Sequence, residues 1–205
     1  ADLHEDFVKD VKELCSIMPS RLAEYHKVFS GNIIAKNRMV GVGMLPLEDA
    51  INYDITGPSG RGSNWSCDTR KKHPYASYAD VKFDEVLEDG CDSFARYMVR
   101  MREIEESVKI LEQLVDRIPE GPIRAQVPKI VKLPEGRWYQ QVEASRGAFG
   151  VYIESKGEKT PYRLHFQSPC FNLVGVMDLT CKGSMIADLI VIGAALDFVI
   201  PDIDR

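Results

Sequence analysis

The chain has 205 residues, 44% of them hydrophobic, which is enough apolar material for one substantial core or at most two small ones. Its formal net charge of -5 excludes the clustered basic excess that neutralises a phosphate backbone, so no nucleic-acid partner is expected. Five cysteines (Cys15, Cys67, Cys91, Cys170 and Cys181), odd in number and far apart, write neither a disulfide framework nor a Cys-x-x-Cys pair and fit a reducing compartment.

The opening residues are acidic and amphipathic, with no basic n-region before an apolar stretch, so no signal peptide is expected. Leu3, Phe7, Val8, Val11, Leu14 and Cys15 recur at helical spacing and predict a helix to about Ile17, which Pro19 ends or punctuates. A second helix is predicted over Arg21–Phe29, a helical turn over Ile33–Lys36, and a new helix start at Pro46 with Glu48 and Asp49 favourably placed in its first turn. Residues 54–75, interrupted by Gly57, Pro58, Gly60, Gly62 and Pro74, predict a long irregular loop, and such loops in compact domains are functional or disordered. The strongest helical signal runs from Asp92 to Arg117, where Phe94, Tyr97, Met101, Ile104, Val108, Leu111 and Val115 form one stripe.

Pro- and Lys-rich residues 121–136 read as an extended connector. Short strands follow at 139–143, 149–155 and 162–166, and then a helical stretch from Phe171 to Leu196 with interruptions near Gly175 and Gly183. Helices with one small antiparallel sheet define the α+β class, and no linker divides the chain, so a single domain is expected. The longest apolar run, Ile186–Ile200, is broken by Asp188, Gly193 and Asp197 and is too short to span a bilayer, leaving any membrane association to partner subunits.

No Gly-x-Gly-x-x-Gly follows a strand, no Gly-x-Ser-x-Gly elbow is present, and the four histidines are isolated, so no metal ligand set is written in the chain. Three features stand out. The loop around Arg61 sets Asp68, Arg70, Lys71 and Lys72 among glycines; its composition favours a solvated surface, while its glycines would let backbone approach another group closely. The long helix carries Arg96, Arg100 and Arg102 among acidic residues, a pattern that usually supports a solvent face. The apolar C-terminal run ends in Asp197, Asp202, Asp204 and Arg205, so carboxylates enter apolar surroundings, where functional sites often lie.

At these features the chain resembles the quinone-site subunit of respiratory complex I, NADH-quinone oxidoreductase, whose fold is similar to the large subunit of NiFe hydrogenases. The resemblance is carried by Gly57, Pro58, Arg61, Ser63, Asp68, Arg70, Pro74 and Tyr75, with Asn64 where the family usually has glycine. Asp92, Arg96, Tyr97, Arg100 and Glu103 form a second block, and Glu143, Ala144, Arg146 and Gly147 a third, from which Ser145 and Ala148 depart. Pro161, Tyr162, Arg163, Pro169 and Phe171, and then Ala187, Asp188, Asp197, Asp204 and Arg205, complete the series, which covers about residues 10–205.

The resemblance implies a hydrogenase-like α+β fold and a component of NADH-quinone oxidoreductase that carries no metal and no catalytic residue of its own. Hydrogenases end in a Cys-x-x-Cys, and this chain has Val199 and Asp202 at those places, so a nickel centre would lack soft ligands. In the complex I branch the emptied metal site is a quinone pocket; Asp197 and Val199 are expected on its wall, with Arg205 and Arg61 as neighbours. NADH and iron-sulfur clusters enter through partners, including an iron-sulfur subunit and membrane-arm subunits, with proton translocation by the whole complex. The resemblance places such a subunit peripherally on the cytoplasmic face of the bacterial inner membrane, with the fragment itself expected to be soluble and inactive. It also implies that residues 1–205 are the C-terminal portion of a longer, possibly fused, polypeptide. The competing readings are a non-catalytic docking scaffold of the complex and a membrane-bound hydrogenase relative.

Overall fold

A computed structural model describes residues 3–122 and 125–204; Arg205, expected near the pocket, lies outside the described residues. Helix α1 spans Phe7–Tyr25 and passes into a π turn, His26–Ser30. The expected break at Pro19 does not occur. A proline inside a helix removes one hydrogen bond and crowds the preceding turn at a cost of roughly 3 kcal/mol. Here Cys15 and Leu22, one turn on either side, are buried, and the helix packs along the long helix that begins at Ser93. Packing overrides the local penalty, and the two helices expected from the sequence are one.

Short helices follow: α2 over Ile33–Met39, capped by the Asn32 side chain, α3 over Leu47–Asn52, α4 over Gly57–Arg61 and α5 over Thr69–Lys72. The loop predicted over 54–75 therefore contains two helical segments, and it is not a solvated surface: Arg61, Asp68 and Thr69 are buried to within 2%. Gly57, at φ 70°, lies so close to the following hairpin that a Cβ there would sit 2.4 Å from the Gly147 Cα. Glycine at both positions lets the α4 terminus touch the sheet backbone directly.

The helix predicted from 92 appears as α6, Ser93–Leu114, continued by a 3₁₀ turn to Arg117. Asp92 caps it, accepting from Ala95 N at 2.7 Å, and its second oxygen ties in the segment after α2 by accepting from Gly41 N at 2.8 Å. Further along the chain, β1 (Glu135–Ala144), β2 (Gly147–Lys156) and β3 (Arg163–Gln167) form a three-stranded antiparallel sheet in chain order. A two-residue turn, Ser145–Arg146, joins β1 to β2 with Ala144 paired to Gly147. Because side chains alternate across a strand, the register puts Val142, Phe149, Val151 and Phe166 on one face and Gln141, Glu143, Ala148 and Gln167 on the other. The polar face is turned toward α4 and α5.

The C-terminal stretch divides into α7 (Pro169–Gly175), α8 (Met177–Cys181), α9 (Asp188–Leu196) and α10 (Ile200–Ile203). Leu45, Ala50, Ile55, Leu173, Val176, Ile192 and Leu196 make the larger core, which ties the α3 region to α7 and α9. Val81, Phe83 and Ile110 make a smaller one beside α6. The architecture is mixed helix and antiparallel sheet, as expected for α+β, and none of the described helices is long and apolar enough to cross a membrane.

Candidate functional site

The charged residues of the glycine loop, the long helix and the first hairpin meet in one buried network. Arg61, at the last residue of α4, is 1% exposed. Its Nε and Nη2 donate to Glu103 of α6 at 2.8 and 2.6 Å, and its Nη1 donates to Glu143 of β1 at 2.7 Å. The second oxygen of Glu143 accepts from the Thr69 backbone N–H at 3.0 Å, at the start of α5. Tyr75 closes this corner, its hydroxyl accepting from Glu143 N at 3.1 Å. One guanidinium thus ties α4 to a second helix and a strand, a geometry for which its planar fork is suited.

A second pair backs the first. Arg70 forks onto Asp68, Nε to Oδ1 at 2.9 Å and Nη2 to Oδ2 at 2.6 Å, and Asp68 also caps α5 through Arg70 N. Burial alone would raise the Asp68 carboxyl, but the Arg70 hydrogen bonds and the nearby Arg61 charge overcome it and hold it below its ordinary value. Glu103 goes the other way: its desolvation outweighs the Arg61 and Arg70 charges and its carboxyl is raised. Cys67, buried beside the network, is pushed up to about 12, so its thiol is not a nucleophile at neutral pH.

Two further arginines of α6, expected on a solvent face, are inside. Arg96 is fully buried with no carboxylate paired to it among the described residues; it donates to Gly43 O at 2.6 Å, and burial pushes its guanidinium down to about 10. Arg100 donates to Arg96 O at 2.9 Å and is lowered by burial, which the charges of Asp197 and Glu103 offset only in part. The helix period puts residues 96, 100 and 103 on one side, and the covering elements, not the helix composition, decide that this side is dry.

The network forms the wall of a cavity of about 360 Å³, lined among others by Arg61, Arg70, Arg100, Glu103, Glu143 and Asp197. Two of the residues chosen from the sequence, Asp197 and Arg61, therefore share one cavity. Asp197 ends α9 in the left-handed region at φ 59°, and the hairpin residue Arg146 clasps it, donating to its carbonyl at 2.9 Å and to its carboxylate at 3.3 Å. Val199 is not on this lining; it is half-buried and its N–H donates to Cys170 Sγ at 3.4 Å. Among the described residues, the side chains lining the cavity around Asp197 are mostly charged or polar.

The tail is also fastened at Asp202, which accepts from the hydroxyl of Ser168, the N-cap of α7. Valine and a hydrogen-bonded aspartate at 199 and 202, with one thiol nearby whose pKa is raised by burial, are a poor donor set for nickel. Among the described residues, the one group of three potential ligands close enough for a metal is His4, Glu5 and Asp6, all exposed.

Composition did not disclose Glu103 and Glu143 as partners of Arg61, or Arg100 as a neighbour on the same cavity, since these residues lie in different elements and the helix pattern pointed outward; the available signal was their membership of the family blocks. Comparison with known proteins gives those blocks their meaning. The model of the family described as "Respiratory-chain NADH dehydrogenase, 49 Kd subunit" matches residues 1–133 and 126–205, and the chain belongs to that family. An NADH-quinone oxidoreductase C/D polypeptide of Bacteroides thetaiotaomicron is 54% identical over the whole chain, which spans 39% of that relative. NADH-quinone oxidoreductase subunits of Desulfotalea psychrophila and Bacillus anthracis are each 42% identical, and the chain spans 55% and 56% of their lengths.

Proposed function

We propose that residues 1–205 are the C-terminal portion of the hydrogenase-like, quinone-site subunit of an NADH-quinone oxidoreductase, and that their charged cavity forms part of the quinone-binding region. The observation that carries this reading is that Asp197 and Arg61, far apart in sequence, line one cavity in a chain of the 49 kDa subunit family. Reduction of a quinone to a quinol takes up two electrons and two protons. Electrons come from an iron-sulfur cluster held by a partner subunit. The cavity of this chain supplies ionisable groups near the acceptor: Asp197, part-exposed and held by Arg146, and Glu103, whose raised carboxyl gives up its proton less readily than usual. The apolar walls that a lipid-soluble quinone needs come from polypeptide beyond these residues. The family resemblance adds Val199, which is half-buried and off this lining, and Arg205 as further members of the proposed quinone region, and coupling to proton translocation belongs to the whole complex at the cytoplasmic face of the membrane.

Quinone reductase kinetics of the intact assembly with Asp197→Asn test this. The expected result is a rise in quinone KM or a fall in kcat of about tenfold or more, equivalent to about 1.4 kcal/mol of lost stabilisation. Unchanged kcat and KM would reject Asp197 as a quinone-site residue and favour the docking-scaffold reading. The hydrogenase reading is disfavoured by Val199 and Asp202, and stoichiometric nickel in the full-length protein would restore it.

A further inference from the structure

On the other side of Arg100 from the charged cavity lies a cleft of different character. It runs between α2, α6 and α9, has a volume of about 490 Å³, and its walls include Phe29, Ile34, Met39, Tyr97, Ile190 and Val191. The walls are open, Ile34 being 71% exposed and Ile190 78%, and Ile186, four residues before Ile190 and off the lining, is 91% exposed. Single exposed apolar side chains are ordinary, but a contiguous patch over two neighbouring helices marks an interaction surface.

The charged residues on this lining are two arginines, Arg38 and Arg100. Arg38 is paired with Asp188 at 2.9 Å. Arg100 is not so provided for: Nη1 donates to Arg96 O, while Nη2 is buried and has no hydrogen-bond partner among the described residues. A buried guanidinium edge without an acceptor is expensive, and a carboxylate is the acceptor that returns most for it.

We propose that this cleft seats an apolar α-helix carrying a carboxylate, supplied by polypeptide outside residues 1–205, with the carboxylate accepting from the free edge of Arg100. A groove between two helices takes a third helix by ridge-and-groove packing. A single lipid-like molecule could fill the cleft but would leave Ile186, beyond it, uncovered. A second copy docking through the same patch would set Arg100, which has no ion-pair partner among the described residues, against its own counterpart, and like charges in an apolar interface repel. The relatives have chain to supply such a helix, since the matched stretch is 39% of the length in one and 55% in another. This inference does not rest on the quinone reading, because the cleft and the charged cavity are separate apart from Arg100.

The test uses the intact assembly with a photoreactive amino acid, p-benzoylphenylalanine, at Ile190, and reads the crosslinked peptide by mass spectrometry. The expected product is an apolar, helix-forming segment with an Asp or Glu within one turn of the crosslinked residue. Arg100→Glu is expected to lower the crosslink yield at least tenfold, and the reciprocal change of that acidic residue to Arg to restore it. Because Arg100→Glu alters a buried position, a second arm places the photoreactive residue at Ile34 and introduces Ile190→Asp on the exposed face, again expected to abolish the crosslink. Crosslinks only to lipid, crosslinks to the same cleft of a second copy, a partner segment without an acidic residue, or a yield indifferent to both Arg100→Glu and Ile190→Asp would each overturn the proposal.

Discussion

Arg61 shows how much one buried side chain can organise. Its guanidinium satisfies two carboxylates from elements 42 and 82 residues further along the chain. Removing it leaves the nearly buried Glu143 without its cation and Glu103 with only Arg70, 4.0 Å away. Arg61→Ala is therefore expected to destabilise the fold by about 3–5 kcal/mol, and Arg61→Lys to recover only part of that because an ammonium cannot fork, as chemical denaturation would measure. Asp68 predicts a pH dependence. Its folded carboxyl lies below the ordinary 3.8, so its contribution is fully present above that pH and is lost as pH falls below it. Asp68→Asn should flatten the acid limb of the stability curve below about pH 3.8 while lowering stability at neutral pH; an unaltered acid limb would show that Asp68 is not a determinant. The sequence named Arg61, Asp68 and Arg70 as unusual but not as buried, because burial comes from Glu103, Glu143 and the sheet backbone, which no local window contains.

Elements with a strong period were the legible ones. The stripe from Phe94 marked α6 almost to the residue, and its acidic neighbour Asp92 is the N-cap; Asp92→Ala should cost about 0.5–2 kcal/mol for the cap, with the Gly41 N–H left unpaired in addition. The three strands were found but came out longer or shifted by a residue, since a tight two-residue turn extends β1 and β2 almost to each other. Pro19 misled. Its helix-breaking tendency is real but smaller than the packing of α1 on α6, so Pro19→Ala is expected to raise stability by about 1–3 kcal/mol, read as a higher denaturation midpoint. The short helices α4 and α5 had no period to detect; they exist because Gly57 and Gly147 permit contact and Asp68 caps.

At the scale of the whole molecule, α6 separates two environments. One is the charged cavity of Arg61, Glu103, Glu143 and Asp197; the other is the apolar cleft of Ile34 and Ile190; Arg100 borders both. The resemblance grouped Asp197 with Arg61 but named neither Glu103 nor Glu143 for the pocket; the four residues come from four separate family blocks that the fold draws together. Nothing local foresaw the second, since α2 and α9 become neighbours only through the core around Ile192 and Leu196. The most direct test of the proposed quinone region is photoaffinity labelling of the intact assembly with a photoreactive short-chain quinone, followed by mapping of the modified peptides. Label on the segments bearing Asp197 to Val199 or Gly57 to Arg61, competed away by unmodified quinone, is the predicted result. Competable label found solely in other polypeptide, with none on either segment, would contradict it.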